Sequence, residues 1–223
     1  MNRRELMQLA ALAGTAAVTT SIAAQTKPAT TRIQMLVYPG MTLQDLVGPL
    51  QVWASWPGAQ IQFAWQSTGP VPTDSSLAVV ATTSFADAWA TPDILFAPGG
   101  LLPTFELLED AAVIEFLRSR GEQAKWVTSV CTGALLLHEA GFAKGKRVTT
   151  HWTFVEPLRA RGDVTVLDGP RYVRDGNLVT AAGVSAGIDM ALWLVGQLHS
   201  PEVARRVQRY IQYDPAPPYA AEV

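Results

Sequence analysis

Short segments that read as buried strands alternate with segments of helical spacing along most of this chain. Residues 32–38 (RIQMLVY), 92–97 (PDILFA) and 127–130 (VTSV) are too short for helices and end at Pro, Gly or polar residues, a pattern typical of strands buried on both faces. Residues 105–121 (FELLEDAAVIEFLRSRG) read as one helix that stops at Gly121. This alternation predicts an α/β fold in which helices cover both faces of a mostly parallel sheet.

The first 30 residues have a different character. Arg3 and Arg4 precede an Ala-rich run that ends in small residues around Ala24, the order of a secretory signal that is too short and too weakly hydrophobic to span a membrane well. The paired arginines resemble the twin-arginine export signal of bacteria; an ordinary amphipathic helix is the alternative. We expect residues 1–30 to be a signal and linker and residues 31–223 to be one domain. The expected location is the periplasm, with no stable membrane span after signal cleavage, or the cytoplasm if the leader does not function.

Composition narrows the classes of function. The 223 residues carry a formal net charge of −2 without a long basic stretch, so we expect no nucleic-acid partner. A single cysteine excludes an internal disulfide framework and a cysteine-rich zinc site. The three histidines, His138, His151 and His199, lack the spacing of metal ligands. We therefore expect no metal.

That single cysteine, Cys131, lies at the joint between the strand 127–130 and an amphipathic helix predicted over Gly133–Phe142. Free N–H groups at the start of a helix stabilise a thiolate, so the position predicts a lowered thiol pKa. The small residues Thr132 and Gly133 permit the sharp turn of a nucleophile elbow. Packing as a small buried hydrophobic residue is the alternative. The position favours catalysis.

Two further segments end in polar or glycine residues directly after a predicted strand. Residues 37–45 (VYPGMTLQD) bring Asp45, and residues 95–100 (LFAPGG) bring Gly99 and Gly100. The carboxyl ends of parallel strands meet at one edge of the sheet, where working groups gather. We expect both segments to lie close to Cys131.

Six motifs in one order make the sequence resemble the ThiJ/PfpI family, a branch of the class I glutamine amidotransferase-like fold. They are DLVGP, APGG, SVCTGALLL, GKRVTTHW, AGVSAGIDMAL and YDPAPPY, and the resemblance runs from Arg32 to Tyr219. Within the family the motifs look most like those of the isonitrile hydratases. The resemblance implies a flavodoxin-like three-layer sandwich, with a mostly parallel central sheet and a strand-to-helix nucleophile elbow.

The resemblance also implies roles for three catalytic residues. Cys131 matches the family's nucleophile, and Asp45 matches the acidic residue that approaches it. Thr132 stands where the protease-like relatives carry histidine. This departure argues against peptidase activity, because it removes the adjacent base. Cysteine followed by threonine, together with the aspartate, is the combination of isonitrile hydratases.

Four more residues are implied to bind substrate. Gly99 and Gly100 match a loop whose backbone N–H groups can face developing charge. His151 corresponds to a histidine near the nucleophile in several members, and Trp152 beside it would line the pocket.

Each partner of the cysteine also has a structural interpretation. Asp45 could satisfy free N–H groups at a helix start, and Gly99 with Gly100 could form a tight turn. His151 could be a hydrogen-bonded, half-buried histidine. Asp189 is interpreted as structural, and His138 and His199 have no partner in reach by spacing. These alternatives remain open at the level of sequence.

The resemblance implies an enzyme, a carbon–oxygen lyase that adds water to an isonitrile and gives an N-substituted formamide through a cysteine thioimidate. The partner is a small-molecule substrate, no cofactor is implied, and a homodimer is expected. One alternative is a glyoxalase- or deglycase-type enzyme acting on α-oxoaldehydes with Cys131, Asp45 and His151. A further alternative is a non-enzymatic domain in which Cys131 senses oxidants or ligands.

Overall fold

The computed structural model describes residues 30–215. Its main sheet has seven strands in the order β10-β11-β7-β6-β1-β2-β5, all parallel except the β10–β11 pair. These strands are β1 (Thr31–Leu36), β2 (Ala59–Trp65), β5 (Thr83–Ser84), β6 (Ile94–Ala97), β7 (Trp126–Val130), β10 (Tyr172–Asp175) and β11 (Leu178–Ala181). Two small sheets pair β3 (Gly69–Pro72) with β4 (Ala78–Ala81) and β8 (Arg147–Val148) with β9 (Thr165–Val166). The mostly parallel α/β sheet predicted from sequence is confirmed.

Seven α-helices of the described residues connect or cover these strands. They are α1 (Leu43–Ala54), α2 (Leu102–Leu108), α3 (Ala111–Gly121), α4 (Gly133–Glu139), α5 (Val155–Arg159), α6 (Ala186–Leu198) and α7 (Pro201–Tyr210), and a 3-10 turn (Trp152–Phe154) precedes α5. All four residues of β6 are buried and apolar, and the last four of β1 are buried as well, with Gln34 the one polar residue among them. Burial on both faces explains why these strands are mostly apolar.

Strand order positions the functional site. After β1 the chain moves outward to β2, and it later returns to place β6 on the other side of β1 before continuing to β7. The crevice beyond the carboxyl ends of β1 and β6 is thus a topological switch point, where open α/β sheets bind ligands. The segments after β1, β6 and β7 all open into this crevice.

The helix predicted over residues 105–121 is wrong as a single element. The chain forms α2 and α3 instead, and the break lies at Asp110. Its carboxylate accepts hydrogen bonds from the N–H groups of Ala112 and Val113, which caps the second helix. The helix after Cys131 is also shorter than expected and ends at Glu139, because Gly141 adopts a left-handed φ of 95°. Residues 172–181 form an antiparallel hairpin of β10 and β11.

Candidate active site

Cys131 occupies a strained turn between β7 and α4. Its φ is +56°, a left-handed value that a side chain other than glycine rarely adopts. The strain is held by hydrogen bonds: its N–H donates to the carbonyls of Ala181 and Ala182, at 3.1 and 2.9 Å, and its carbonyl accepts from the hydroxyl of Thr150 at 2.8 Å. A Cβ at the following Gly133 would collide with the carbonyl of Ala97, so the tight passage behind the turn requires glycine. This is the geometry of a nucleophile elbow.

Asp45 lies in the first turn of α1, yet it does not cap that helix. Its Oδ2 accepts a 2.9 Å hydrogen bond from the N–H of Gly99 across the switch point. The N–H of Leu43 at the helix start is satisfied by Oδ1 of Asp74 instead. The Oδ1 atom of Asp45 is buried and has no hydrogen-bond partner within residues 30–215. The carboxyl therefore keeps one oxygen uncommitted, and the helix-capping interpretation is wrong.

The Asp45 carboxyl and the Cys131 thiol face each other in a nearly closed site, since Asp45 is fully buried and Cys131 is 1 % exposed. Burial raises the pKa of Asp45 to about 7, against the lowering effect of its hydrogen bond from Gly99. Burial and the neighbouring Asp45 charge raise the pKa of Cys131 to about 12. The N–H of Thr132 does lower the thiol pKa, as the position before a helix predicts, but by less. The expected lowered pKa of Cys131 is thus wrong.

Gly99 lies between the Asp45 carboxyl and the turn that carries Cys131 and Thr132. A Cβ at this residue would lie 2.7 Å from Oδ2 of Asp45 and 2.7 Å from both the backbone N and Oγ1 of Thr132. Such distances are shorter than real Cβ contacts permit. Asp45 and Thr132 can approach one another only because this residue has no side chain.

Thr132 and Gly100 complete the inner wall of the site. The N–H of Gly100 donates to Oγ1 of Thr132 at 3.0 Å, and that oxygen lies 2.7 Å from Oγ1 of Thr104. Both loop amides are therefore engaged, that of Gly99 with Asp45 and that of Gly100 with Thr132. The expectation that these two N–H groups are free to face developing charge is wrong, because they position the acid and the threonine.

A cavity of about 850 Å³ lies next to the elbow; its wall includes His151, Trp152, Gly183 and Val184 but neither Cys131 nor Asp45. The ring of His151 packs over Gly183, where a Cβ would collide with it. Its Nδ1 lies 3.4 Å from the backbone N of Thr153, which donates to it, and burial lowers the pKa of the ring. Trp152 is 75 % exposed at the rim. Both residues lie at this cavity, and their role in binding substrate stays a prediction.

Sequence reasoning missed four residues that shape the site: Tyr38, Thr104, Thr150 and Val184. Three are buried hydroxyl residues whose partners are remote in sequence. Val184 has a φ of 44°, strained for a β-branched residue, and it lines the cavity beside the site. No local pattern marks any of them.

The other acidic and histidine candidates are engaged elsewhere. Asp189 accepts from Nε of Arg171 at 2.8 Å, in agreement with a structural role. His138, which has no partner by sequence spacing, contacts Asp163 at 2.5 Å.

Within residues 30–215 no group of three or more His, Cys, Asp or Glu side chains is arranged to hold a metal. The described helices include none with the length and hydropathy needed to cross a bilayer.

Comparison with known proteins agrees with the fold described above. The DJ-1/PfpI family profile matches residues 31–197. The isonitrile hydratase of Pseudomonas putida is 42% identical over 188 residues, which cover 84% of this chain and 81% of that protein. Protein DJ-1alpha of Drosophila melanogaster is 30% identical and covers 63% of this chain and 64% of its own length. A crystal structure of a ThiJ/PfpI family protein from Pseudomonas syringae superposes with a TM-score of 0.83 at 41% identity, covering 87% of this chain and 79% of that one.

Proposed function

The chain belongs to the DJ-1/PfpI family, and within that family we propose that it is an isonitrile hydratase-like enzyme that converts an isonitrile and water into an N-substituted formamide. The observation that carries the proposal is the facing pair of Cys131 and Asp45, both buried, in which the carboxyl has a pKa of about 7. Hydration needs a nucleophile and a group that both gives and takes a proton near neutral pH. The 42% identity to the isonitrile hydratase supports the choice of reaction.

The first step forms a covalent bond to sulfur. The terminal carbon of an isonitrile carries a lone pair, and protonation of that carbon makes it electrophilic. Because the pKa of Cys131 is raised to about 12, the resting thiol keeps its proton. Ionised Asp45 takes that proton and passes it to the isonitrile carbon as the sulfur attacks the same carbon. The product is a thioimidate with a neutral N=CH–S linkage, and Asp45 is again ionised.

The second step consumes water. Ionised Asp45 takes a proton from a water molecule as its oxygen adds to the thioimidate carbon, and it passes that proton to the nitrogen. Collapse of this adduct breaks the carbon–sulfur bond as Asp45 takes the remaining hydroxyl proton and passes it to the departing sulfur, and the formamide leaves. One isonitrile and one water give one formamide, and no external oxidant or reductant is needed. The uncommitted Oδ1 of Asp45 suits this double use.

Access to the thiol fits a slender substrate. Cys131 is 1 % exposed, so a reacting atom with little bulk around it approaches the sulfur most easily. An isonitrile presents an unsubstituted terminal carbon at the end of a linear group. Its organic substituent would lie in the 850 Å³ cavity between His151 and Trp152. A peptide carbonyl, flanked by two substituents, is a much poorer fit.

The deciding experiment compares the native chain with Cys131→Ala on cyclohexyl isonitrile and an aryl isonitrile, following formamide formation. We expect turnover by the native chain and none by the variant. Absence of turnover, with a Cys131 that still reacts with an alkylating agent, would contradict the proposal. Turnover of methylglyoxal that is lost in His151→Ala would then favour the glyoxalase-type alternative. Peroxide oxidation of Cys131 without turnover would favour a sensor.

Export and assembly are separate proposals. Residues 1–29 lie outside the described part of the chain, so the twin-arginine leader and the periplasmic location stay predictions, as does the division into residues 1–30 and 31–223. Fractionation of cells expressing the full chain and an Arg3→Lys, Arg4→Lys variant tests export, which the double substitution should reduce. Light scattering on the purified chain tests the predicted homodimer.

A further inference from the structure

A fully buried chain of hydroxyl groups runs behind the candidate site. The N–H of Gly100 donates to Oγ1 of Thr132 at 3.0 Å, Oγ1 of Thr132 lies 2.7 Å from Oγ1 of Thr104, and Oγ1 of Thr104 lies 3.1 Å from the hydroxyl of Tyr38. The Tyr38 hydroxyl donates to the carbonyl of Pro98 at 3.1 Å. Tyr38, Thr104 and Thr132 each have no solvent exposure. Four hydrogen bonds thus link the segments that follow β1, β6 and β7.

The direction of this chain follows from its two ends. A backbone amide can only donate and a carbonyl can only accept, while each hydroxyl has a single hydrogen. Tyr38 must give its hydrogen to Pro98, so Thr104 must donate to Tyr38, and Thr132 must in turn donate to Thr104. Burial raises the pKa of the Tyr38 hydroxyl, which keeps the required hydrogen in place. One arrangement of hydrogens satisfies all four bonds.

This arrangement fixes what Thr132 can offer to the reaction. Its hydrogen is committed to Thr104 and one lone pair to the N–H of Gly100, which leaves one lone pair and no hydrogen. The Thr132 side chain lies beside the Cys131 thiol, where a donated hydrogen bond would lower the pKa of the thiol. In the arrangement that the chain imposes, that stabilisation of the thiolate is withheld. Thr132 is an acceptor at the site.

We propose that Tyr38 and Thr104 are positioning residues that act through Thr132, holding its hydroxyl as an acceptor for the water that hydrolyses the covalent intermediate. That water must lose one hydrogen to Asp45, and an acceptor for its other hydrogen orients its oxygen toward the carbon. The proposal rests on the hydratase function for the water step. The polarity of the hydroxyl chain, however, can be measured on the thiol alone.

Tyr38→Phe tests the direction of the hydrogen bonds without disturbing the packing, because it removes one oxygen and keeps the ring. Without Tyr38 as acceptor, Thr104 turns its hydrogen toward Thr132, and the hydrogen of Thr132 becomes free to donate to sulfur. Thr104→Val frees the same hydrogen by deleting its acceptor, and Thr104→Ser retains the chain. Thr128→Val is the matched control: its buried hydroxyl donates to the carbonyl of Leu95 at 2.9 Å, inside the sheet.

The first readout is the rate of alkylation of Cys131 by iodoacetamide as a function of pH. Tyr38→Phe and Thr104→Val should shift the profile to lower pH, by roughly one unit for one new hydrogen bond to the thiolate, or about tenfold in rate at fixed pH. Thr104→Ser and Thr128→Val should follow the native profile. If Tyr38→Phe leaves the profile unchanged, the proposed polarity is overturned, whether or not the native chain hydrates isonitriles.

The second readout is the fate of the covalent intermediate, observed by intact-protein mass spectrometry during turnover. Tyr38→Phe and Thr104→Val should accumulate the adduct and lower kcat by about tenfold or more, while Thr104→Ser restores both. An unchanged kcat in Tyr38→Phe, with a shifted alkylation profile, would overturn the water-orienting role. A native chain without any isonitrile turnover contradicts the proposed function itself, and the alkylation profiles then still decide the polarity. Should Thr104→Val fail to fold, Tyr38→Phe alone carries both tests.

Discussion

The N–H of Gly99 and Oδ2 of Asp45 are joined by a hydrogen bond of 2.9 Å, although the residues are 54 positions apart. The bond ties the turn after β6 to the helix after β1, at the switch point of the sheet. It also leaves no room for a side chain at Gly99, since a Cβ there would lie 2.7 Å from the same oxygen. The position of the acid thus depends on the absence of a side chain at Gly99.

Gly99→Ala should damage activity more than folding. The backbone of Gly99 does not lie in the left-handed region, so the penalty comes from the Cβ that pushes Asp45 and Thr132 apart. A displacement near 1 Å of a catalytic group costs roughly 100-fold in rate, and we expect kcat to fall by about that factor. Gly196→Ala is the matched control, because its Cβ would come no closer than 3.7 Å to any atom. That change should keep full turnover and gain up to about 1 kcal/mol of stability from helix propensity. Equal turnover by the two variants would contradict the role of Gly99.

Asp45→Asn should change how stability depends on pH. The folded state holds a proton on Asp45 up to about pH 7, whereas the unfolded chain releases it near 3.8. Between those values the folded state binds more protons, so rising pH weakens the native chain, by up to about 4 kcal/mol for this group. Asparagine carries no such penalty. The stability of the variant relative to the native chain should therefore increase from pH 4 to pH 7 and stay constant above, as measured by urea unfolding.

A surface carboxylate provides the control for that measurement. Glu115 has a side chain that is 65% exposed and pairs with Arg118. Glu115→Gln should show a stability difference from the native chain that varies little over the same pH range. A difference for Asp45→Asn that is equally flat would mean that Asp45 is ionised throughout, and the proton transfers assigned to it would fail with it.

The sheet and the meeting of three strand ends could be predicted because both follow from local patterns. Burial on both faces makes β1 and β6 mostly apolar, and parallel pairing then brings Asp45, Gly99 and Cys131 to one edge of the sheet. The break at Asp110 was missed because a helical apolar pattern continues across it. The helix is broken because the Asp110 side chain caps the helix that follows. Aspartate also occurs within continuous helices, so the residue alone does not predict a break.

The chemistry of the site was harder to predict than its location. The position of Cys131 before a helix correctly predicted a favourable N–H from Thr132, but the pKa is set mainly by burial and by the facing carboxyl. Both depend on residues far away in sequence. The hydroxyl chain also depends on residues that are far apart in sequence, since Tyr38 and Thr104 hydrogen-bond to partners 60 and 28 positions away. The sequence predicts which side chains meet at one edge of the sheet, whereas their protonation states depend on how the folded chain packs around them.

The raised pKa of Cys131 predicts a sluggish thiol. Alkylation by iodoacetamide should increase tenfold per pH unit past pH 9, with no plateau near the ordinary thiol value, because burial and the Asp45 charge hold the pKa near 12. Asp45→Asn removes the second cause and should shift the profile to lower pH. Asp189→Asn, a carboxylate held by Arg171 outside the site, is the control and should leave the profile in place. A native plateau at or below pH 8 would restore the lowered pKa that the helix start alone predicts.

Trp152 should govern which isonitriles bind rather than how fast they react. Its side chain is 75 % exposed at the rim of the cavity, so Trp152→Ala should change the free energy of unfolding by no more than about 0.5 kcal/mol. The ring offers an apolar face to an aryl substituent and makes no contact with the reacting carbon. Its loss removes binding that is equal in the ground and transition states, which raises KM and leaves kcat unchanged. We expect KM for an aryl isonitrile to rise by about five- to tenfold, less for a small alkyl isonitrile.

Leu77→Ala, which removes a 62 % exposed apolar side chain elsewhere on the surface, should alter neither constant. A fall in kcat at constant KM would instead place Trp152 in the chemical step, as expected if the rim closes over the thiol during turnover.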